Sequence, residues 1–541
     1  MKRNNKLIRY VLLALTVICI NSCTKLDETV YSSFITDNFY NNKTEVLSAV
    51  LRPYTHTNAW ISSSGQVGYW RVNELAADQL AWPVKGVDGQ DNGNWIRLHY
   101  HTWIPDDANI VWDPWRLMYT GIGYCNDPIA NIGNRSIASM GITQVEKDGF
   151  IAELKLLRAF YYLKLMDLYG NIPIVTTVGE PLSPPTATRK EVFAFIEKEI
   201  KDNIDKVPVL SPGLRGRFSK AGAYAMLAEL YLNAEKWTGT QRWDDCVAAC
   251  DALISGSAGS QIAGGMALDP NINAPFSNTN GQTSKEIIFS IAYQNPDFRA
   301  NFNSDFFHFN QKYIYDGTFN GNNGIVLIPG VYDKFKNNDL RKSSWLLIGP
   351  QFYLANPTQP VLGFREYTGQ QLVFVDNIRK NKVNSTVSDM TQGEENSGVR
   401  FNKYKPGRQS DARYFSNDWS VYRLTWIYFA KAEALMRKAN GSTPQAAVDL
   451  INTCKQRAFS AADWPAEAYT TTTLTLPELL EERGREFIFE GVRRTDLIRF
   501  DKYVTAAWWD HTPSNDKTRE LFPIPQRQLA VNKNLIQNPG Y

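Results

Sequence analysis

The sequence predicts a mainly α-helical fold in which helix pairs are joined by long loops and short β segments. Three observations support this prediction: apolar residues recur at helical spacing in both halves of the chain, capping residues bound several of these stripes, and alanines occupy positions where paired helices would approach closely. The chain has 541 residues, of which 43% are hydrophobic, enough to build a large core. Helix pairs in series are typical of a loose solenoid.

In the amino-terminal half, one long helix is predicted with defined ends. Thr143 and Glu146 form a capping box, and Gly170 ends the helix. A pair of helices follows at 219–234 and 243–254, and their alanine pattern resembles a tetratricopeptide hairpin. The stripe of the long helix consists of Leu154, Leu157, Tyr161, Leu165 and Leu168.

The carboxyl-terminal half repeats this pattern. One apolar stripe ends at Gly441, and a partner stripe follows Pro444. A further helix is predicted from a capping box at Thr475 and Glu478 to Gly491. Its acidic residues come early and its basic residues late, as the helix dipole favours.

Two stretches, 61–105 and 256–400, lack helical periodicity. They are rich in Gly, Asn, Asp, Trp and Phe, with short β-like runs such as EIIFSIAY and QQLVFV. Loops of this length inside a compact chain are usually functional. We therefore divide the chain into a signal segment, an amino-terminal region with the first helix pairs, a loop-rich central excursion and a carboxyl-terminal helical region, at 1–22, 23–235, 236–400 and 401–541.

The amino terminus has the features of an export signal. Basic residues precede an apolar core at 10–20, which has the length of a signal-peptide core and is too short to span a bilayer. Ile20 to Cys23 resembles a lipobox, so we expect cleavage before Cys23 and acylation of its thiol. The alternative is a plain secretory signal with an accidental cysteine.

Charge and cysteine content narrow the class of partner. The chain has 58 Lys and Arg against 55 Asp and Glu, and the signal segment holds four of the basic residues, so the remainder is close to neutral. Such a surface argues against nucleic acid, which requires a concentrated basic footprint. The cysteines beyond the anchor are predicted to be buried small hydrophobic residues; they are Cys125, Cys246, Cys250 and Cys454.

Several stretches together resemble the SusD/RagB family of outer-membrane glycan-binding lipoproteins. In the first half these are CTKLDE, VWDPWRLMYTGIGYCN, AELKLLRAFYYLKLMDLYGNIPIV and GRFSKAGAYAMLAELYLNAEKW. In the second half they are YRLTWIYFAKAEAL, EERGREFIFEGVRRTDLIRF and LFPIPQRQL with the terminal NPGY. Within them, Arg493, Arg494 and Asp496 are interpreted as structural, because a guanidinium can hydrogen-bond a carboxylate and free helix-end carbonyls.

The resemblance implies a SusD-like fold with four tetratricopeptide-like hairpins. It also implies an outer-membrane protein, tethered through Cys23 and facing the cell exterior, that serves as the lid of a SusC-like TonB-dependent transporter importing oligosaccharides. RagB-type members of the family make a peptide ligand an alternative to a glycan.

A sugar offers apolar C–H faces and a rim of hydroxyls, so it is bound by flat aromatic rings together with amide, carboxylate or guanidinium groups. Trp82 and Trp95 are the leading candidates, since the glycines and proline around them make burial of both unexpected. Their polar neighbours are Asp78, Asp88, Asn92 and Arg97. The resemblance, which implies a site in the amino-terminal loops with help from the central excursion, adds Trp60, Tyr293 and Arg365.

No catalytic or cofactor motif stands out. The run from Asp88 to His99 matches a calcium loop only in part, because His99 occupies the position where a bidentate Glu is expected. His99 and His101 could face the same way on a strand, but two histidines do not make a zinc site. No Gly-x-Ser-x-Gly, phosphate loop or His-Glu-x-x-His is present. We expect a non-catalytic receptor without metal or cofactor, with a secreted glycosidase as the enzymatic alternative.

Overall fold

The computed structural model describes residues 39–62, 67–179, 182–294, 297–298, 304–318, 321–380, 386–406 and 415–541. The predicted export signal and Cys23 lie outside these residues. Within them, the structure is mainly helical with four two-stranded sheets. The predicted fold class is therefore confirmed.

The helices are numbered α1 to α18 in chain order. A 3-10 turn, Asp91–Gly93, leads into α3, and a π turn, Ala108–Trp112, leads into α4. No helix in the described ranges combines the length and apolarity that a bilayer crossing requires. The bounds of α1 to α18 are Lys43–Ile61, Tyr69–Leu75, Asn94–His99, Asp113–Asn134, Ile137–Met140, Gln144–Tyr169, Arg189–Asn203, Lys220–Leu232, Ala234–Thr238, Trp243–Ile254, Asn280–Thr283, Leu340–Trp345, Leu424–Lys438, Gln445–Lys455, Trp464–Glu467, Leu476–Glu486, Arg493–Arg499 and Gln526–Val531.

The strands are short and pair antiparallel across long sequence distances. β1 pairs with β3, β2 with β8, β4 with β7 and β5 with β6. The β1–β3 pair joins the amino-terminal loop to the central excursion, with Leu80 opposite Leu327 and Ala81 opposite Val326. The bounds of β1 to β8 are Leu80–Ala81, Ile287–Ile291, Val326–Leu327, Leu346–Leu347, Gly349–Pro350, Val373–Phe374, Arg400–Phe401 and Trp419–Arg423.

The helical body forms by pairwise packing of neighbouring helices. α4 packs on α6 and α6 on α7, while α8, α10, α13 and α14 make a second series. Gly121 allows α4 to approach α6 closely, since a Cβ there would lie 2.1 Å from the Tyr161 ring. The Tyr161 hydroxyl donates to the Pro53 carbonyl at 2.8 Å, which ties α6 to α1.

Most helix predictions are confirmed, together with their ends. The capping box of α6 is formed by Thr143 and Glu146 in both directions, and Gly170 is its C-cap. The predicted pair of helices at 219–234 and 243–254 is α8 and α10. The four described cysteines are buried free thiols, as expected.

The helix predicted to run to Gly491 ends at Glu486 instead. Phe489 has φ +71°, which breaks the helix. The Phe489 ring packs edge-on against Phe401 at 4.7 Å, and its carbonyl accepts the Trp70 indole N–H at 2.9 Å. Tertiary packing therefore overrides the local helical pattern.

The prediction that 61–105 lacks helix is wrong. This stretch contains α2 and α3, which are seven and six residues long. Every residue of α2 is buried, so its sequence carries no alternation of polar and apolar faces from which a helix could be recognised. The stretch 256–400 is loop-rich as predicted but contains two short helices, α11 and α12, so the absence of helix is wrong there too. β2 and β6 lie in the two quoted β-like runs.

Buried ion pairs fasten the central excursion to the helical body. Arg341 donates to Glu482 at 2.8 Å and to Glu486 at 3.0 Å, with its side chain fully buried. Arg423 donates to Glu286 and Glu486, both at 2.9 Å. Burial alone would raise the pKa of Glu286, but the neighbouring guanidinium groups, Arg423 among them, lower it to about 2. These buried ion pairs therefore connect the central excursion to the helical body.

Candidate functional site

A cavity of about 530 Å³ opens between the 82–95 segment and the central excursion. Its lining combines aromatic rings, amides and paired charges. Among the predicted site residues, Trp82, Trp95, Asp88, Asn92 and Arg365 line it. Sequence reasoning missed the other lining residues, which are Arg71, Gly89, Asp91, Asn109, Phe309 and Asn322.

Trp82 and Trp95 form a stacked pair at the cavity wall. Their ring centroids lie 4.9 Å apart, and the ring planes differ by 6°. The expectation that both are exposed is wrong, because only 9% of Trp82 and 4% of Trp95 are accessible. Gly324 causes part of this burial: its backbone passes so close to Trp82 that a Cβ would lie 2.6 Å from Cε2. Each indole therefore offers a limited part of its surface to the cavity.

The chain that carries Trp95 is held in a strained turn. Asp91 has φ +34°, Asn92 +53° and Gly93 +74°, and the Asp91 carboxylate accepts the Trp95 indole N–H. Gly89 is required as well, because a Cβ would lie 2.4 Å from the Pro83 carbonyl oxygen. Trp95 thus lies in the first turn of α3 rather than in a loop, and its indole orientation is fixed before any ligand arrives.

Arg71 supports the tryptophan pair from α2. Its guanidinium carbon lies 5.3 Å from the Trp82 centroid and 5.5 Å from the Trp95 centroid, so it sits beside both rings. Arg71 also donates to the Asp305 carboxylate, which accepts a second hydrogen bond from the Asn322 amide at 2.9 Å. This chain of contacts connects α2 to the central excursion at the base of the cavity.

Arg365 lies at the rim of the cavity, with 41% of its side chain exposed. Its Nη1 donates to both carboxylate oxygens of Asp88 at 2.7 Å, and its guanidinium lies 4.7 Å from the Phe309 centroid. Asp88 comes from the amino-terminal loop, whereas Arg365 and Phe309 come from the central excursion. The ion pair therefore bridges the two walls of the cavity.

Glu395 positions the rim from below. Its carboxylate accepts the backbone N–H of Phe364 and, at 2.7 Å, that of Arg365. His308 Nε2 lies 2.7 Å from the same carboxylate, and His308 Nδ1 accepts the Asn310 N–H at 3.0 Å, so Nε2 carries the hydrogen.

The pKa values agree with a neutral His308 ring beside a charged Glu395 carboxylate. Burial lowers the pKa of His308 to about 4, so the ring is neutral at pH 7. Burial alone would raise the pKa of Glu395, but hydrogen bonds from His308 and from the backbone of Phe364 lower it to about 2. A neutral donor and a charged acceptor therefore link the turn that carries Phe309 to the turn that carries Phe364.

Two predicted polar residues lie outside this cavity. Asp78 accepts two hydrogen bonds from Arg493, at 2.6 and 2.8 Å. Burial alone would raise the pKa of Asp78, but Arg493 lowers it. Arg97 donates to Asp107 at 3.1 Å and to the Asn92 carbonyl at 2.8 Å, so it braces the turn before α3. Asp78 and Arg97, which the sequence suggested as ligand contacts, thus each form a structural ion pair instead.

The predicted aromatic contacts Trp60 and Tyr293 also lie elsewhere. Trp60 is wholly buried in the helical core, 4.9 Å from the Tyr161 ring, so the expectation that it presents a surface to a ligand is wrong. Tyr293 is buried too, stacks on Phe298 at 5.3 Å and contacts the Ser62 hydroxyl at 3.1 Å. Neither residue lines the cavity.

A second cavity of about 660 Å³ lies at the ends of α16 and α17, and it is the larger of the two. Its lining includes Trp508, Trp509, Lys334 and the Asp78 carboxylate. The described residues that line it include no Asn or Gln, whereas the first cavity has three asparagines. The first cavity has the combination of rings and amides that hydroxylated ligands require, so we place the candidate site there.

In the described part of the chain, no cluster of three His, Cys, Asp or Glu side chains is arranged to hold a metal ion. His99 ends α3 and His101 has φ +54°, so the suggestion that they lie on a strand is wrong. Both rings are buried beside His511, with centroid distances of 5.9 and 4.4 Å. Asp88 of the partial calcium loop is engaged by Arg365.

The fold and the cavity together define a helical-hairpin protein with a loop-built aromatic site. Two family models match the chain: residues 285–541 match the SusD family, and residues 20–232 match a family described as starch-binding and associating with the outer membrane. The two matches together cover most of the chain, and they overlap the motifs quoted above for its first and second halves. The chain belongs to the SusD family.

The relatives agree with this assignment. The starch-binding protein SusD of Bacteroides thetaiotaomicron is 25% identical over 513 residues, covering 88% of this chain and 86% of that protein. A laminarin-binding SusD-like protein superposes with a TM-score of 0.69 at 20% identity, covering 93% of this chain and 100% of that one. Surface glycan-binding protein A of Bacteroides thetaiotaomicron, in complex with laminarihexaose, gives 0.68 at 21% identity, covering 92% and 99%. These structures share the fold.

Proposed function

We propose that this protein is a non-catalytic, cell-surface glycan-binding lipoprotein that binds oligosaccharide in the Trp82–Trp95 cavity. The observation that carries the proposal is the stacked indole pair in a wall that also contains Asn92, Asn109 and Asn322. Indole surface binds the C–H face of a sugar, and amides bind its hydroxyls. The starch-binding and laminarin-binding relatives support a saccharide as the ligand class.

The protein then delivers its ligand to a SusC-like TonB-dependent transporter. A lipid on Cys23 keeps the binding domain at the outer membrane, where it faces the cell exterior and closes over the transporter mouth. Tethering raises the effective concentration of each partner for the other, so neither the sugar contact nor the protein contact has to be strong alone. Modest glycan affinity is sufficient for capture under these conditions.

Affinity electrophoresis tests the binding site. The purified protein without its signal segment is run through gels containing laminarin, starch or no polysaccharide. We expect at least one polysaccharide to retard the wild type, and Trp95→Phe and Trp82→Ala to reduce that retardation because each removes indole surface. Trp464→Ala is the matched control, since Trp464 lies in α15 outside the cavity.

Both cavity tryptophans are largely buried, so thermal unfolding is measured for each variant in parallel. Unchanged retardation by two folded cavity variants would remove the cavity as the site. Retention of a peptide library without retention of any polysaccharide would assign a peptide ligand instead.

Three further measurements test the absence of catalysis and the lipid tether. Incubation with the retarding polysaccharide is expected to release no new reducing ends, whereas their appearance would indicate a glycosidase. Mass spectrometry of the mature amino terminus is expected to find a lipid-modified Cys23, and Cys23→Ser is expected to release the protein from the membrane. An unmodified terminus would leave no basis for the tether.

A further inference from the structure

A small sheet in the central excursion has one face in the core and one in solvent. It consists of β5 and β6, and isolated bridges extend the pairing beside them, with Phe352 opposite Pro360 and Leu362 opposite Gln371. Side chains alternate between the two faces of a strand, so Val361 points into the protein while its neighbours in the chain point to solvent. The core face of the sheet carries a buried cluster of Val361, Leu372 and Phe374.

The solvent side carries four large apolar side chains although it is exposed. Phe352, Leu354, Leu362 and Phe364 alternate along the chain with the buried residues Gln351, Val361 and Gly363, and we call these four exposed residues the apolar hairpin face. Their exposed fractions are 39%, 45%, 42% and 52%. Large apolar side chains that cluster on a surface usually mark a binding surface.

The apolar hairpin face begins at the rim of the candidate sugar cavity. The Phe364 ring lies 4.9 Å from the Phe309 ring, which lines the cavity. Arg365, the next residue after Phe364, lies over the same Phe309 ring and also lines the cavity. The aromatic surface is therefore continuous from the cavity to the sheet.

The face is preorganised by hydrogen bonds that do not involve its own side chains. Glu395 accepts the backbone N–H groups at Phe364 and Arg365, and the Asn310 amide donates to the Leu362 carbonyl at 2.8 Å. Ligand binding on a surface held in this way requires little additional ordering of the protein.

We propose that the apolar hairpin face is an outer subsite, and that it binds the part of a polysaccharide chain that extends beyond the cavity. The inference rests on the proposed function and adds its substrate class: a long, uncharged glycan chain rather than a short oligosaccharide. The four side chains are uncharged, so they match the C–H faces of neutral sugars, and the cavity of about 530 Å³ accommodates only a short stretch of chain.

Isothermal titration calorimetry with a chain-length series tests this subsite. The probes are the trisaccharide, the hexasaccharide and the polysaccharide of the laminarin and starch series. In whichever series binds, we expect the wild-type affinity per mole of glycan chain to rise with chain length. The double variant Leu362→Ser/Phe364→Ser is expected to lose about tenfold in polysaccharide affinity, about 1.4 kcal/mol, and to bind the trisaccharide unchanged.

Phe352→Ser provides a second variant on the same face, expected to act in the same direction. Leu340→Ser is the matched control, because Leu340 has a similar exposed fraction of 45% and lies in α12, away from the cavity lining. It is expected to leave the whole series unchanged.

Several outcomes would overturn the subsite. One is equal wild-type affinity for short and long chains. A second is an equal loss of trisaccharide and polysaccharide affinity in the face variants, which would mean that the face only shapes the cavity. A third is a shift in sedimentation velocity caused by the face variants without any chain-length effect, which would assign the face to a second copy of the chain.

Failure of the proposed function and failure of the outer subsite give different results. Absence of wild-type binding to every polysaccharide removes both. Loss of binding in the tryptophan variants without any dependence on chain length keeps the cavity and removes the outer subsite.

Discussion

Two arginines in this protein make carboxylate pairs of similar geometry in opposite surroundings. Arg423, in the interior, has 1% of its side chain exposed and contacts Glu286, Glu486 and Glu490. Arg365, at the cavity rim, is 41% exposed and pairs with one carboxylate, which is 22% exposed. The distances are nearly the same, 2.8–2.9 Å against 2.7 Å, so burial and not geometry separates a structural pair from one that a ligand can rearrange.

The largest effect is expected from removing the buried arginine. Arg423→Met removes a counter-charge from three buried carboxylates, so the free energy of unfolding should fall by about 3–5 kcal/mol. Arg365→Met is the matched control and should cost less than about 1 kcal/mol, because its pair is exposed. Urea denaturation measures both. Equal losses would contradict the comparison.

Buried ionisable groups without a counter-charge should stay neutral, and His99 tests this. Burial lowers the pKa of His99 to about 3, below its unfolded value of about 6.5, so stability is fully present above pH 6.5 and declines as the pH falls towards 3. Between pH 7 and pH 5 this group should cost about 2 kcal/mol. His99→Phe should reduce the loss by that amount in urea denaturation at the two pH values. An identical pH dependence in the variant would show that His99 does not titrate in this way.

Gly324→Ala adds one methyl group beside Trp82 and tests whether the position of the indole matters for ligand binding. The added Cβ would lie 2.6 Å from Trp82 Cε2 and 2.7 Å from the Asp305 carbonyl oxygen, so the indole and the Asp305 backbone must shift. We expect a cost of about 1–2 kcal/mol in unfolding free energy and loss of polysaccharide retardation. Gly123→Ala is the control, since nothing lies within 4 Å of its Cβ position in α4. It should stabilise the helix slightly. Wild-type retardation by Gly324→Ala would show that the position of the indole is not decisive.

The smallest effect concerns ligand charge. Arg365 is paired with Asp88, Arg71 with Asp305, and the Asp91 carboxylate faces the same cavity. We expect a sulfated or carboxylated polysaccharide to bind at least about fivefold more weakly than a neutral one, because it must displace a carboxylate and face another. Gel retardation of paired neutral and sulfated polymers measures this preference. Tighter binding of the sulfated polymer, lost at high salt, would indicate that the rim arginine is available to anions.

Much of the helical body could be predicted because its signals are local. The α6 capping box, the Gly170 stop and the alanine pattern of α8 and α10 each depend on residues a few positions apart. The lipobox and Cys23 are likewise local patterns, and their consequences stay predictions, as do the domain boundaries.

The candidate site could be predicted only in part. Tryptophans, glycines and polar residues mark the 82–95 segment in the sequence, and five of the predicted side chains line one cavity. Phe309 and Asn322 were missed because they reach the cavity from a distant part of the chain, although the aromatic run around Phe309 was a usable signal. Asp78 is near the tryptophans in sequence, but the structure pairs it with Arg493.

Local patterns alone indicate both ends of α6 and the segment that carries the indole pair, since hydrogen bonding within a turn and apolar spacing are properties of neighbouring residues. The packing of the whole fold is needed to place Gly324 against Trp82, Arg365 against Asp88, and the Phe364 ring against the Phe309 ring. Each of these contacts joins segments far apart in the chain. Their formation depends on how the whole core packs, and no local pattern encodes it.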